Sequence, residues 1–525
     1  MAAPDERVRA LAAVDVGTNS VHVVVARVHG EGARAQFEIL TREKEMVRLG
    51  SGAGDMKELD PDAVERAVAA LRRCRSLADG ADAALRVVAT SAVREAENRD
   101  HLLGRARSEA GVEIEVISGS EEARLIHLGV LQSVPAGEGS RVVVDIGGGS
   151  TELVLADGAH LRIGRSLKLG AIRMTSRFFG GRLLHPGAVD ACRRHVRATL
   201  IPFQRAVGTD RCLPMVGSSG TIEALAAIEH ARATGTVPRS VANEELTRAG
   251  LAETVDLLIR AARRGERPEL DGLESRRADI ALGGALVLEG VMDGLDADRL
   301  VVSETALREG VLLDTVMRTD GGTLDHLADL RLRSVEHLML GCDDDPDHAR
   351  HVARLATRLF DQLGPALDLG GTHRELLGAA ALLANAGLVV SHDRHHHHSY
   401  YVIRNSDRLS GFTESEVEII ALVARYHRKS APKRSHPPFA ELRRTDQRVV
   451  RALAGILRVA VALDRSRGRR IDDVVVELSD DRVGLSCRTA GSADVSLELY
   501  TAEQRSGLLA KVLDRDVEVA ATADG

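Results

Sequence analysis

The sequence predicts an α/β protein: two lobes of mixed strands and helices, then a helical segment, then a small α+β tail. Three observations carry that reading. A loop signature occurs twice, as Asp15-Val-Gly-Thr-Asn-Ser20 and Asp145-Ile-Gly-Gly-Gly-Ser-Thr151, each time between two apolar β-branched runs, the pattern of a hairpin. Strand-like and helix-like segments are mixed through both lobes. From about residue 326 the apolar spacing turns helical, with Val352, Leu355, Ala356, Leu359 and Phe360 on one stripe.

Taken in order, residues 11–50 read as consecutive strands and turns. Asp60-Pro61 supplies a cap and a first-turn proline for a helix that takes in Ala63 to Leu71. A strand over 85–90, a helix over 98–110, a strand over 113–117 and a helix after Glu121 complete the first lobe. Pro135–Ser140 reads as a joint. The second hairpin loop opens the second lobe, which adds a strand–turn–helix unit at Pro214–Leu225 and ends near Leu300–Gly310. Residues 319–323 mark the next boundary, so the expected domains are 8–136, 137–320, 326–470 and 471–520. In the tail, 473–478 and 495–500 read as strands and 502–512 as a short helix.

The 525 residues are 44% hydrophobic and 28% charged, which suits large soluble cores. No apolar run approaches the roughly 20 residues of a membrane-spanning helix, and the start of the chain lacks an apolar signal core. A cytoplasmic protein is expected. The five cysteines are scattered, which argues against disulfides and a zinc cluster. A net charge of −7 and 2% aromatic residues, with no Trp, argue against a nucleic-acid partner. Any polyanion must be held locally. The main basic concentration carries Arg425, His427, Arg428, Lys429, Lys433 and Arg434, a candidate track on which cations neutralise successive phosphates.

Glycines in the two hairpin loops let the backbone curl so that N–H groups face an anion, and the hydroxyls add donors. The leading carboxylates, Asp15 and Asp145, would repel a phosphate and suit Mg²⁺ or a water. A third turn, Gly217-Ser-Ser-Gly-Thr221, precedes a helix whose N-terminus favours anions. None of the three fits a P-loop or a dinucleotide fingerprint, and both hairpin loops continue into strands, which disfavours a Walker ATPase or a Rossmann dehydrogenase.

Asp15–Ser20, Ser118-Gly-Ser-Glu-Glu-Ala123, Asp145–Glu152, Gly217–Thr221 and Leu307-Arg-Glu-Gly310 occur in the order found in the Ppx/GppA family. Its members are exopolyphosphatases and guanosine pentaphosphate phosphohydrolases of the actin/Hsp70/sugar-kinase (RNase H-like) fold. The resemblance runs from about residue 10 to 315. It continues more weakly through His392–Tyr400 and Arg425–Lys429, where the chain resembles the longer exopolyphosphatases with a helical HD-like domain and a small C-terminal domain. It implies that Glu122 is catalytic with Glu121 as its neighbour, and that Asp145 and Glu152 lie near Mg²⁺ or Mn²⁺, with K⁺ a further cation. It implies that Gly147, Gly148, Gly149, Ser150 and Thr151 cradle the terminal phosphate, that Gly17, Thr18, Asn19 and Ser20 approach it with Asp15 from the other lobe, and that Arg94 faces it. Read without the family, Glu121 and Glu122 better suit the first turn of a helix, where acids favour the dipole, and Arg94 equally suits a surface position.

The HD fold would carry a His-Asp or His-Glu pair where this chain reads Ala384-Asn385, so no second metal centre is expected. The resemblance gives His392, His396 and His398 a structural or substrate-facing role and implies a homodimer. The implied activity is Mg²⁺-dependent release of terminal phosphate from inorganic polyphosphate. Hydrolysis of pppGpp at its 5′ end is the alternative. A non-catalytic polyphosphate or nucleotide sensor is a third reading, against which Glu122, Asp145 and Glu152 together speak.

Overall fold

The computed structural model describes residues 9–32, 35–50, 57–134, 139–181, 184–208, 213–319, 325–406, 409, 411–489 and 494–522, with backbone alone over 325–330. Residues 135–138 of the expected joint, 320–323 of the next boundary, and Cys212 lie outside the described residues. The chain divides into two compact units, Met1–His326 and Leu327–Gly525.

The first unit contains two sheets. In one, β1 (Arg9–Val16), β2 (Ser20–His29) and β3 (Gln36–Met46) form an antiparallel meander, and β4 (Ala83–Ala89) and β5 (Ile114–Val116) run parallel to β1. The order is β3-β2-β1-β4-β5. The other comprises β6 (Ser140–Ile146), β7 (Thr151–Asp157), β8 (His160–Leu167), β9 (Met215–Ser218), β10 (Glu245–Thr247) and β11 (Arg299–Val302), ordered β10-β11-β9-β6-β7-β8. Without its edge strand β10, the second sheet repeats the first. β1 and β6 are apolar and buried over most of their length, as strands covered on both faces must be. The expected cap is present: the Asp60 side chain accepts from the Ala63 N–H, with Pro61 opening the Pro61–Gly80 helix.

Two helices are exchanged between the sheets. The Gly119–Val130 helix follows β5 yet packs on β7 and β8, and the Leu307–Thr319 helix follows β11 yet packs on β1 and β2. Where they meet, a Cβ on Gly129 would lie 1.7 Å from the Ala306 carbonyl oxygen, and one on Gly310 would lie 1.8 Å from that of Leu125. Only glycine permits backbones to approach so closely.

Beside this crossing Asp314 accepts from Arg124 at 2.7 Å, Arg86 at 2.6 Å and Arg318 at 2.7 Å. Burial alone would raise the Asp314 carboxyl, but the three guanidinium groups hold it well below the usual range. Asp314→Asn is expected to cost about 3–5 kcal/mol, because it strands buried cations. The sign with pH follows from the depressed pKa. The folded state stays ionised where the unfolded Asp takes up a proton near pH ~3.9, so the contribution is full above that pH and fades below it. Thermal unfolding of parent and variant along a pH series checks this: the gap between them narrows only on the acid side.

The second unit packs helices Pro346–Leu367, Gly371–Leu382, His395–Arg404, Glu414–Tyr426 and Arg444–Ala462 with the sheet β12 (Ile471–Leu478), β13 (Arg482–Thr489) and β14 (Asp516–Ala521). Helical segment and tail share one core, in which Leu359 and Leu457 join Ile471, Leu485 and Leu509. The 495–500 strand expected from sequence is instead the start of the helix Ser496–Arg505. The alternation Leu497, Leu499 misled: Leu497 and Tyr500 are exposed, while Val495, Glu498 and Ala502 point inward at helical spacing. Among the described residues, no helix is long and apolar enough to cross a membrane.

Candidate active site

The duplicated sheets place the two hairpin loops on one cleft of about 590 Å³ in the first unit. The loops are built alike. Gly17 N–H donates to Ser20 O and Gly147 N–H to Ser150 O, both at 3.0 Å. The loop carbonyls are then turned away and held. Thr18 O accepts from Gly50, and Asn19 O from Val47 and Arg48. In the other loop, Gly147 O accepts from Ala171, Gly148 O from Ile172 and Arg173, and Gly149 O from Arg173 Nε at 2.7 Å. Among the described residues the amides of Gly148, Gly149 and Ser150 give no backbone bond, which leaves them for an anion.

Asp15, Glu122, Asp145 and Glu152 are among the carboxylates that line this cleft. Asp145 and Glu152 are cross-strand neighbours on β6 and β7 and therefore share one face. Ser218 Oγ donates to Asp145 at 2.6 Å and Ser166 Oγ to Glu152 at 2.6 Å. Burial, with Glu122 nearby, pushes Asp145 up to about 6. Burial, Glu122 and Asp145 push Glu152 well above the usual carboxylate range. Asp15 is pushed up to about 7, chiefly by burial, and its Oδ1 has no partner. Glu122 sits in the first turn of the exchanged helix, capped by Ser118, whose hydroxyl accepts from the Glu121 N–H. Arg94 Nη1 donates to Glu122 at 2.8 Å, and burial raises the Glu122 carboxyl despite that partner.

A buried, mutually repelling carboxylate pair with only hydroxyl partners fits a divalent cation. Among the described residues no three acidic, His or Cys side chains converge into a ready cage. Mg²⁺ commonly needs only one or two carboxylates, its remaining ligands being waters and substrate phosphates. Asp145 and Glu152 suit it on that count.

Cations line the cleft as well, intermixed with Glu43, Glu223, Glu274 and Glu304, and Arg276 is bidentate to Glu274 at 2.7 and 3.0 Å. Lys44 stands opposite His22 across β2 and β3, and Arg276, Arg277 and Arg308 line the same space. Burial and those arginines push Lys44 down to about 8. Arg308 Nη1 donates to His22 Nδ1 at 2.8 Å, and burial with Lys44 and Arg308 pushes His22 down to about 2. His22 is therefore neutral and protonated on Nε2, which donates to Ser20 Oγ at 2.8 Å and frees the serine proton for an anion. Sequence reasoning missed Lys44, His22 and the arginines as site residues. The repeat held the signal, since His22 occupies in the first loop the place of Glu152 in the second.

The structure brings Asp15, Gly17, Thr18, Asn19, Ser20, Glu122, Asp145, Gly147, Gly148, Gly149, Ser150, Glu152, Ser219, Gly220 and Thr221 to the cleft. Others named from sequence it places elsewhere. Glu121 is fully buried against Arg124, at 2.8 and 2.7 Å, in the ion cluster around Asp314. Thr151 spends its hydroxyl on Leu169 O. Gly217 lies inside β9 packed on Leu300 and Ile222, and Ser218 is spent on Asp145. Arg94 is held by Glu122 and Ile117 O instead of lining the cleft. Glycine at 119 is a packing need: a Cβ there would strike the Ser166 Cβ at 2.4 Å.

In the second unit the expected basic track is dispersed. Arg425 lies over the Tyr400 and Tyr426 rings, Arg428 is against His395, and Lys429, Lys433 and Arg434 are exposed. His427 is buried, with Nδ1 2.6 Å from Ala424 O, and burial pushes it down to about 3, so it offers no surface charge. His395 and His396 are buried, and His392 is exposed.

The two sheets of the first unit with their helices form an α/β fold of the actin-like kind. The model of the Ppx/GppA phosphatase family matches residues 23–319, and that of its domain III matches residues 330–499. The chain belongs to the Ppx/GppA phosphatase family and is a phosphohydrolase. It is similar to an exopolyphosphatase from Cytophaga hutchinsonii, with 27% identity and a TM-score of 0.53 over 59% of this chain and 98% of that one. A Ppx/GppA family member from Aquifex aeolicus shares 27% identity with a TM-score of 0.50, over 60% and 100%. An exopolyphosphatase-like protein shares 29% with a TM-score of 0.52, over 60% and 99%.

Proposed function

We propose that the protein is a Mg²⁺-dependent exopolyphosphatase. The observation that carries this is the make-up of the cleft, in which the buried carboxylates Asp15, Glu122, Asp145 and Glu152 and the loop amides share one space with Lys44, Arg277 and Arg308. A terminal phosphoryl fits the loop amides, and the remaining chain fits the cations. Glu122, raised by burial yet oriented by Arg94, takes a proton from the attacking water as its oxygen bonds the terminal phosphorus. The bridging P–O bond breaks, and the charge left on the shortened chain meets Lys44 and Arg308. The amides of Gly148, Gly149 and Ser150, with the Ser20 hydroxyl, hold the transferring group. Mg²⁺, or Mn²⁺, held by Asp145 and Glu152 would neutralise charge on the phosphoryl oxygens.

Among the described residues no Phe, Tyr or Trp lines the cleft, which favours a phosphate chain over a stacked guanine. Orthophosphate release from long-chain polyphosphate and from pppGpp, each with and without Mg²⁺, tests the reading. The expected result is faster, Mg²⁺-dependent release from polyphosphate. Preference for pppGpp would assign the alternative activity, and binding without release a sensor.

A further inference from the structure

The second unit holds a separate cavity of about 190 Å³, bounded by the end of the Arg444–Ala462 helix, the turn after Tyr426 and the Ser496–Arg505 helix. Its wall carries Arg428, Arg458, Arg465, Arg467 and Arg505 against one carboxylate, Asp464. That carboxylate is committed, accepting from His348 Nδ1 and from the Arg469 N–H, both at 2.7 Å. Arg467 pairs with Asp345 at 3.1 Å, and Arg458 donates to Tyr426 O at 2.8 Å and Lys429 O at 2.5 Å. Among the described residues, the side chains of Arg465 and Arg505 have no hydrogen-bond or ion-pair partner. Burial, then Arg505 and Arg465, push the Arg428 guanidinium down from its ordinary value, and burial and Arg505 do the same to Arg458. Like charges gathered in a concave, half-buried wall are costly until an anion joins them. A metal ion is repelled there. The volume is below that of a drug-sized site and suits one or two phosphoryl groups, whose oxygens match guanidinium forks.

We propose that this cavity binds phosphoryl groups, supplied by an inorganic phosphate chain or by a nucleotide. The test is hydrogen exchange followed by mass spectrometry on the full chain carrying Glu122→Gln, with tripolyphosphate or guanosine triphosphate at matched ionic strength. Slowed exchange is expected in peptides covering 458–467 and 501–505. Protection by tripolyphosphate alone assigns an inorganic chain, by the nucleotide alone a nucleotide, and by both a site that reads only phosphoryl groups. Adding Arg465→Gln and Arg505→Gln, which break no contact, is expected to raise the half-protecting concentration about tenfold or more, while peptides covering 145–152 respond as before. Arg505→Lys alone, which keeps the charge, retains most of the protection. No slowing with either ligand, or unchanged protection in the double variant, overturns the proposal.

Discussion

Replacing Glu122 by Gln is expected to lower turnover by about 10²–10⁴-fold, the usual contribution of a positioned general base. Gln retains an oxygen that accepts from Arg94 Nη1, so the 2.8 Å contact and the helix start survive while the proton acceptor is lost. Substrate affinity, read by competition with a labelled chain, is expected to stay within a few-fold. Glu121→Gln makes the control. Its carboxylate is bidentate to Arg124 inside the ion cluster, so that variant loses stability, and its turnover per folded molecule is largely kept. Equal turnover losses for the two, measured at equal folded fraction, would contradict the placement of the base on Glu122.

The second large effect lies at the helix crossing. Gly310→Val is expected to cost on the order of 3 kcal/mol or more, at the upper end of overpacking. The new Cβ would meet the Leu125 carbonyl oxygen at 1.8 Å and the Gly129 amide at 3.1 Å, which are backbone atoms that no rotamer change can move. The Gly119–Val130 helix must lift away, and it carries Glu122 one turn before Leu125. Thermal unfolding and steady-state phosphate release check this together: the melting temperature and kcat fall in parallel, with Gly310→Ala affected in the same sense. A Gly310→Val protein of parental stability would show that the two helices do not meet as described.

The first unit was legible because its signals are local. The paired loops announce the sheet duplication, and Asp60-Pro61 announces its helix. The cleft's buried carboxylates were legible by the same route. Its cations were not, because Lys44, Arg277 and Arg308 come from distant segments that only tertiary packing assembles. Glu121 and Glu122 are adjacent in sequence, but helical geometry turns one carboxylate into the ion cluster and the other into the cleft. Thr151 and Ser218 look like phosphate donors in sequence, yet their hydroxyls are consumed holding Leu169 and Asp145. In the second unit, a basic run of sequence is not a surface stripe: His427 is buried, and Arg428 turns toward a cavity that includes arginines far along the chain.

In the proposed reaction, water attacks the terminal phosphorus of a phosphate chain in the interlobe cleft. Hydrolysis of long-chain polyphosphate in water labelled with heavy oxygen measures this directly. Attack as described puts the label into the released orthophosphate, one atom per event, with the remaining chain unlabelled and release slowed about 10²–10⁴-fold in Glu122→Gln. Label in the shortened chain, or fragments from internal cleavage, would contradict the account.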